Sequence, residues 1–319
     1  MKQFLICFLL FICNLITNIY ALNNRPIVGV LAQERYNEKT QYIAASYVKW
    51  IEMGGARAVP IFIGMNDSYY DELFNQINGA LLPGGGTGLV KTKYADVSDK
   101  LLETVAKKHK LGIHFPVWGS CLSFEKIITY FMNDTLSWES NCYVENLSLN
   151  LDFTSEAKPE TVRMLDNNKE IYDILRTKNV TANYHKICLK PETFLNSKNL
   201  TDNFMLISTR KYENITFVSM IEHKTLPIYA TQWHPEKNQF EWRVRKNLGS
   251  INHDQDAIRV GQHFGNFFIS ETRKNNQKFT DETKENQNLI YAFESYRIYH
   301  TKDRSSFVET FEFPLPFSF

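Results

Sequence analysis

The sequence contains few cysteines, and they lack the spacing of a metal site. Five cysteines occur in 319 residues, and the chain has neither a Cys-x-x-Cys nor a His-x-x-x-His pair. Pairs of this kind mark most structural zinc sites, so we predict that the protein uses no metal.

An excess of one charge and long apolar segments are lacking as well. Lys and Arg number 36 against 35 Asp and Glu, so the chain has no basic surplus of the kind found in nucleic-acid-binding proteins. The apolar run from Phe4 to Cys13 is too short to span a bilayer but has the length of a signal-peptide core. We predict a signal peptide over residues 1–21, cleaved near Leu22, and no membrane insertion of the mature chain.

Loss of the signal peptide would remove Cys7 and Cys13. The remaining three, Cys121, Cys142 and Cys188, allow at most one disulfide and one free thiol, which excludes a small disulfide-stapled scaffold. Cys142 and Cys188 can pair or stay reduced without consuming Cys121.

Six Asn-x-Ser/Thr triplets without proline occur in the chain, and an export route would make them available for glycosylation. With the signal peptide they predict a glycoprotein that is secreted or delivered to a lysosome or vacuole. The asparagines are Asn66, Asn133, Asn146, Asn179, Asn199 and Asn214.

Strand-like and helical patterns alternate along the first part of the chain. Apolar runs typical of buried strands occur at residues 26–31, 58–63 and 79–82, and helical spacing occurs at residues 42–53, 69–76 and 97–110. This order predicts an α/β fold with a central, mostly parallel sheet covered by helices on both faces, whose sites gather at the carboxyl ends of the strands.

The second part is less regular. Residues 141–217 show short strand-like pieces that predict an insertion decorating the sheet, and residues 257–270 show an amphipathic helix. Without a repeat or a low-complexity linker, we predict one domain over residues 22–319, with 273–319 as a C-terminal extension.

A thiol lies between an apolar run and a helical segment. Residues 116–118 end a predicted strand, Gly119 permits a tight turn, and residues 122–131 carry apolar side chains at helical spacing. Cys121 is therefore predicted at a strand-to-helix elbow, where the helix N-terminus favours the thiolate. For an isolated cysteine, a buried structural thiol is the commoner case.

A histidine and a carboxylate follow a later strand-like run. Residues 229–232 precede His234, and Glu236 comes two residues after it. A histidine beside a carboxylate is typical of a general base with its orienting group. This second half of a site favours a catalytic role for Cys121.

Glycines follow the strand-like run at residues 79–82. Gly84, Gly85 and Gly86 leave backbone N–H groups unshielded, so they are candidate donors to an oxyanion, with a plain tight turn as the alternative. The run has neither G-x-G-x-x-G spacing nor the lysine of a P-loop, which disfavours nucleotide binding.

In combination these features resemble the class I glutamine amidotransferase fold, which is flavodoxin-like, and within it the gamma-glutamyl hydrolase family. The similarity covers most of the mature chain in order and is more specific than three site residues alone. The matching segments are residues 25–30, 42–49, 77–79, 83–85, 115–119, 182–186 and 232–236.

The resemblance implies a cysteine hydrolase that cleaves folylpoly-γ-glutamates, a small-molecule substrate, without a cofactor. It implies Cys121 as nucleophile, His234 as general acid and base, and Glu236 as the group that orients it. A homodimer is left open. The alternatives are a γ-glutamyl peptidase of non-folate substrates, a non-catalytic glycoprotein that binds γ-glutamyl or pteridine ligands, and a synthetase-coupled glutaminase, which the signal peptide and triplets oppose.

Further residues are implied at the substrate. Backbone N–H groups near Gly84, Gly85 and Leu122 would face the oxyanion, and Glu125 and His185 match substrate-site positions of the family. The alternative for Glu125 is a solvated first-turn carboxylate. The alternative for His185 is a satisfied core histidine, but flanking Asn183 and Lys186 favour the site. Trp118 and Trp233 are predicted to be plain core aromatics.

One residue departs from the family's elbow, which usually carries glycine after Cys-Leu. Here Ser123 follows Leu122. A hydroxymethyl group beneath the nucleophile adds two heavy atoms, so we expect tolerance or slowed chemistry rather than loss of activity.

The elbow and the histidine also predict an ion pair. A Cys121 thiolate beside a protonated His234 would have a lowered cysteine pKa and a raised histidine pKa. Activity and iodoacetamide labelling would then persist at mildly acid pH, as in a lysosome.

Overall fold

The structure, a computed structural model, describes residues 22–35, 40–133, 135–242, 251–293, 296–299 and 307–314. The predicted signal peptide lies outside these ranges. Among the described residues, no helix combines the length and apolar character needed to cross a membrane.

The helices and strands of the described chain are numbered here in chain order. The strands are β1 (Ile27–Leu31), β2 (Gln33–Glu34), β3 (Thr40–Ala44), β4 (Arg57–Ile61), β5 (Gly79–Leu82), β6 (Val117–Ser120), β7 (Glu139–Leu149), β8 (Asp152–Phe153), β9 (Thr181–Leu189), β10 (Phe204–Tyr212), β11 (Ile215–His223), β12 (Ile228–Thr231), β13 (Tyr296–Tyr299) and β14 (Glu309–Pro314). The helices are α1 (Ala45–Met53), α2 (Asp67–Phe74), α3 (Lys93–Lys110), α4 (Leu122–Phe131), α5 (Lys169–Thr177), α6 (Pro191–Asn196), α7 (Lys198–Asn203), α8 (Lys237–Phe240), α9 (Gln255–Thr272) and α10 (Glu282–Asn288).

The central sheet has the strand order β4-β1-β5-β6-β12-β11-β10-β8. Its first five strands are parallel, and β11, β10 and β8 add an antiparallel side. The predicted α/β architecture with a mostly parallel central sheet is therefore confirmed.

Apolar side chains cover both faces of this sheet. Alternate residues of β1 point to opposite faces, so Val28 packs with α1 and α9 whereas Ile27 packs with α3 and α4. Trp118 on β6 is buried in the first of these clusters, 5.4 Å from the ring of Trp50. Burial on both faces explains why the parallel strands are nearly continuous apolar runs.

Two helices begin at places that the periodicity did not predict. Helix α3 begins at Lys93, four residues before the predicted residue 97, because the Thr92 side chain caps it by accepting the Ala95 N–H at 3.1 Å. Residues 42–44, predicted to open the first helix, belong to β3 instead. That strand pairs with β14 in a second sheet of order β13-β14-β3-β2.

The prediction that residues 141–217 decorate the sheet is wrong in part. Strands β8 and β10 extend the central sheet beyond β11, so this region completes the main core. Only β7 and β9 stand apart, as a two-stranded antiparallel ribbon, called here the β7–β9 ribbon.

Candidate active site

Cys121 occupies a sharp turn between β6 and α4. Its backbone has φ 51° and ψ −106°, a region that non-glycine residues avoid at a cost of about 1–3 kcal/mol. Its N–H donates to the Thr231 carbonyl at 2.8 Å, and its carbonyl accepts the Glu125 N–H at 3.0 Å. The predicted strand-to-helix elbow is confirmed, and its strain is held by the next strand and by the first turn of the helix.

His234 reaches the same edge of the sheet because β12 lies beside β6. The two strands are parallel with Ser120 opposite Thr231, so the segments that follow them leave the sheet side by side at its carboxyl edge. The His234 N–H then donates to the Ala182 carbonyl at 2.9 Å, which joins the His234 loop to the β7–β9 ribbon.

Glu236 holds the imidazole of His234. Its Oε1 lies 2.7 Å from Nδ1 of His234, and both side chains are buried. Burial by itself raises the pKa of Glu236, but His234 and Lys237 outweigh it, so the pKa lies below its usual value. An ionised carboxylate only accepts hydrogen bonds, so Nδ1 carries the proton and Nε2 keeps its lone pair. That Nε2 is buried and has no hydrogen-bond partner in the described residues.

Gly84 brings the thiol and the imidazole together. A Cβ placed on it would lie 2.6 Å from Cε1 of His234 and 3.1 Å from Cβ of Cys121, so glycine is required where these side chains converge. The Gly84 N–H donates to the Tyr47 hydroxyl at 2.7 Å. This N–H already has a partner in the structure, which disfavours Gly84 as an oxyanion donor.

The other two glycines of the turn differ from each other. A Cβ on Gly85 would meet Oε1 of Gln33 at 1.8 Å, so packing explains this glycine. No atom of the described residues lies within 4 Å of a Cβ placed on Gly86. The plain-turn interpretation accounts for Gly86 in this structure.

The thiol of Cys121 contacts strand β9 and the first residue of α4. It donates to the Tyr184 carbonyl at 3.4 Å, and the Leu122 N–H helps to lower its pKa. Burial acts the other way and dominates, so the pKa of the thiol lies well above its usual value. Burial likewise lowers the pKa of His234, despite its contact with Glu236.

These two shifts overturn the predicted ion pair. The prediction counted the helix terminus and the mutual attraction of thiolate and imidazolium, but removal of both groups from water penalises both charges. With the pKa of the thiol raised and that of the imidazole lowered, burial favours the neutral form of each group.

Glu125 lies in the first turn of α4 and is buried. Burial raises its pKa to about 8, while its Oε1 accepts a hydrogen bond from Nε2 of Gln232 at 3.0 Å. The interpretation of Glu125 as a solvated first-turn carboxylate is wrong. It is a carboxyl group that can donate or accept close to neutral pH.

His185 lies on β9, one residue after the Tyr184 carbonyl that contacts Cys121. It is buried, and its ring packs edge-on against Phe217 with centroids 4.8 Å apart. Neither ring nitrogen has a hydrogen-bond partner within the described parts of the chain. The satisfied-core interpretation of His185 is therefore wrong, because a buried imidazole without partners is costly.

Five of the six triplet asparagines are exposed, and Asn146 is the exception. Its side chain is 1% exposed and its Oδ1 accepts a hydrogen bond from the Tyr184 hydroxyl. Burial of this amide disfavours a glycan at Asn146, so glycosylation there stays a prediction without support from the structure. The exposed asparagines are Asn66, Asn133, Asn179, Asn199 and Asn214.

Sequence reasoning gave no role to several side chains that support the site. Tyr47, at 3.1 Å from Nδ1 of His234, lies in one of the matching segments but was not singled out. Ser123 donates to the Pro83 carbonyl at 2.6 Å and also bonds the Tyr94 hydroxyl. Contacts between distant segments leave no local pattern, so only the segment similarity signalled Tyr47.

No group of three or more His, Cys, Asp or Glu residues in the described ranges is arranged to hold a metal ion.

The chain is similar to known proteins over most of its length. A family model, peptidase C26, matches residues 26–236. Gamma-glutamyl hydrolase of Rattus norvegicus is 40% identical over 276 residues, covering 85% of either chain. Gamma-glutamyl hydrolase of Homo sapiens is 35% identical over 295 residues, covering 91% of this chain and 90% of its own.

Among solved structures, a putative GMP synthase protein of Thermoplasma acidophilum matches with a TM-score of 0.42 and 18% identity. It covers 78% of this chain and 94% of its own. The sequence similarities extend across the elbow, the glycine turn and the histidine loop. Because they cover most of the chain, the protein belongs to the peptidase C26 family of cysteine-type hydrolases.

Proposed function

We propose that this protein cleaves the γ-glutamyl isopeptide bonds of folylpoly-γ-glutamates, with Cys121 as nucleophile. Family membership and the relatives' names support the bond type. The observation that carries the site is the bond of Glu236 to Nδ1 of His234. It leaves Nε2 buried and without a partner among the described residues, on a ring that approaches Cys121 at Gly84.

His234 acts first as base and then as acid. Nε2 takes the proton of the thiol as Sγ of Cys121 attacks the carbonyl carbon of the isopeptide bond. When the carbon–nitrogen bond breaks, the same proton passes to the leaving amine, and the γ-glutamyl group stays on sulfur as a thioester. Water, deprotonated by Nε2, then attacks the thioester, and the proton returns to the sulfur.

Burial sets how this step is driven. Because the pKa of Cys121 is raised and that of His234 is lowered, both groups are neutral at rest. The thiolate forms only as the proton moves to His234, and Glu236 stabilises the imidazolium that results. The backbone N–H groups of Leu122 and Gly85 are the donors we assign to the oxyanion, since that of Gly84 is occupied.

Glu125 and His185 belong to the substrate side of this proposal. Both are buried, and within the described ranges the two ring nitrogens of His185 lack the partners that a glutamyl carboxylate would provide. Glu125, with a pKa of about 8, would hydrogen-bond an amine or a carboxylate according to its protonation.

Ser123 fits the elbow without disturbing it. It is buried with its hydroxyl bonded to Pro83 and Tyr94, so the extra atoms have partners. This supports a working elbow over the alternative of a non-catalytic binding protein, whose motivation was the missing glycine.

Export by the secretory route to the extracellular space, a lysosome or a vacuole is also part of the proposal. The five exposed triplet asparagines support it. N-terminal sequencing of protein secreted from eukaryotic cells should start near Leu22, and an endoglycosidase should reduce its mass. Retention of residues 1–21 on the mature protein would contradict this part alone.

The decisive experiment is mass spectrometry of products from a folate pentaglutamate. We expect shortened folates and released glutamate or glutamyl peptides from the wild type and none from Cys121→Ala. Tight binding by calorimetry with no product on long incubation would reject the enzyme and favour the ligand-binding alternative. Cleavage of γ-glutamyl peptides but not folates would move the substrate outside the folates.

A further inference from the structure

The β7–β9 ribbon contains two buried thiols on adjacent strands. Cys142 lies on β7 and Cys188 on β9, with side chains 2% and 0% exposed. Cys188 pairs with Ser140, two residues before Cys142, and the strand register shifts between Asn141 and Val144. Both cysteines belong to one apolar cluster with Val144, Leu149 and Phe217.

These thiols are not the inert kind usually found in an apolar cluster. Burial alone would raise both pKa values and leave two unreactive thiols. Instead, a hydrogen bond from Cys188 lowers the pKa of Cys142 to about 6, and the same contact raises that of Cys188. His185 lies close enough to lower the pKa of Cys142 further, although neither of its ring nitrogens reaches hydrogen-bonding geometry.

A thiolate beside a protonated thiol is the arrangement of an attacking and a resolving cysteine. The first attacks a disulfide, and the second displaces the mixed disulfide so formed. Cys121 lies outside this cluster, and its Sγ contacts the Tyr184 carbonyl rather than a second thiol.

We propose that Cys142 and Cys188 are a redox pair that closes to a disulfide across the β7–β9 ribbon by exchange with a small-molecule disulfide. The Cys142 thiolate bonds to one sulfur of the small disulfide and expels its other half as a thiolate. Cys188 then gives up its proton, bonds to Cys142 and expels the second half. Two protein thiols are oxidised by two electrons, and one small disulfide is reduced to two thiols.

The cross-link acts on the wall of the candidate active site. Strand β9 supplies the Tyr184 carbonyl that contacts the Cys121 thiol and the Ala182 carbonyl that accepts the His234 N–H. A bond between the two strands restricts the unfolded chain and fixes this wall. We expect the oxidised protein to melt about 5 °C or more above the reduced protein.

The test is peptide mapping of the full mature chain after equilibration with excess oxidised glutathione, then alkylation with iodoacetamide in denaturant without reductant. We expect a Cys142–Cys188 linked peptide and one alkylated cysteine, Cys121. Dithiothreitol should return all three thiols and lower the melting temperature.

Two results would overturn the proposal. The first is that all three thiols of the wild-type protein can still be alkylated after treatment with oxidised glutathione at a temperature where the ribbon opens. The second is a disulfide that joins Cys121 to Cys142 or Cys188. Cys188→Ser is the matched variant. It should lose the redox-dependent shift in melting temperature and carry one glutathione on Cys142, whereas absence of that adduct would mean that Cys142 is not the attacking thiol.

Discussion

The protein buries cysteine near histidine in two regions that differ in what holds the histidine. At the elbow, Cys121 and His234 converge on Gly84, and Glu236 fixes the imidazole by Nδ1. In the β7–β9 ribbon, Cys142 lies near His185, whose ring nitrogens have no partner among the residues that the structure describes. Yet the lowered thiol pKa belongs to the ribbon and the raised one to the elbow.

The difference shows that thiol acidity and catalytic geometry are separate properties. Selection by pKa alone would choose Cys142 as the nucleophile. Geometry favours Cys121 instead, because its backbone is strained, its base is oriented, and Gly84 lets the two side chains meet. Four predictions test this assignment.

The sharpest contrast is between removal of each thiol. Cys121→Ala should lower the rate of γ-glutamyl cleavage by about 10³-fold or more, because no other group at the elbow can form the thioester. Cys142→Ser, the matched control from the ribbon, should stay within about threefold of the wild type. The two rates are measured from product release by liquid chromatography. If Cys142→Ser lost more activity than Cys121→Ala, Cys142 of the ribbon would be the nucleophile.

The second prediction concerns Glu236, the carboxylate that holds His234. Glu236→Gln keeps the shape but loses the charge that supports the imidazolium, so kcat should fall by about 10²-fold or more with little change in KM. Glu241→Gln, another buried carboxyl whose pKa burial raises, is the control and should retain kcat, since Glu241 accepts the Val308 N–H and does not bond His234. Equal losses in both variants would mean that Glu236 acts only through folding.

The raised pKa of Cys121 makes a prediction about pH. A thiol below its pKa gains thiolate about tenfold per pH unit, so iodoacetamide labelling of Cys121 should rise about 100-fold from pH 6 to pH 8 with no acid plateau. Labelling is read by mass spectrometry of the Cys121 peptide, and a plateau below neutrality would restore the ion pair. His234, whose pKa is lowered, stays a neutral base into mildly acid solution, so the acid limb of kcat should lie below about pH 6.5.

The smallest effect is expected at Ser123. Ser123→Gly removes the hydroxyl that joins Pro83 and Tyr94 but leaves the elbow intact, so kcat should change by no more than about threefold. The melting temperature should fall by about 2–4 °C, because a buried carbonyl and a tyrosine hydroxyl each lose a partner. Ser123→Ala separates the lost hydrogen bonds from the added backbone freedom. A rise of tenfold or more in kcat for Ser123→Gly would show that the serine restrains the elbow.

An element could be predicted from the sequence when the residues that specify it are close together along the chain. The elbow at Cys121, β5 and α9 were predictable because each is specified by neighbours along the chain. Strand β3 was predicted as helix because its partner β14 lies at the other end of the sequence. No local pattern reports such a partner.

The site shows the same division. Cys121, His234 and Glu236 were found by motif, since motifs record residue types at fixed spacing. Their protonation was mispredicted, because it depends on complete burial by segments far away in sequence. Tyr47 was missed as a functional residue for a similar reason, since its contacts with Gly84 and His234 join three separate segments.

Pairing of β3 with β14 has a consequence for synthesis in the cell. Strand β3 leads directly into α1, which carries Tyr47, yet its partner β14 is synthesised after every other described helix and strand. Phe311 and Phe313 on β14 are buried, so the core around α1 is incomplete in the nascent chain. This part of the core is therefore completed only after β14 has been synthesised, and a chain that terminates before β14 would expose β3 as an open edge for aggregation or chaperone capture.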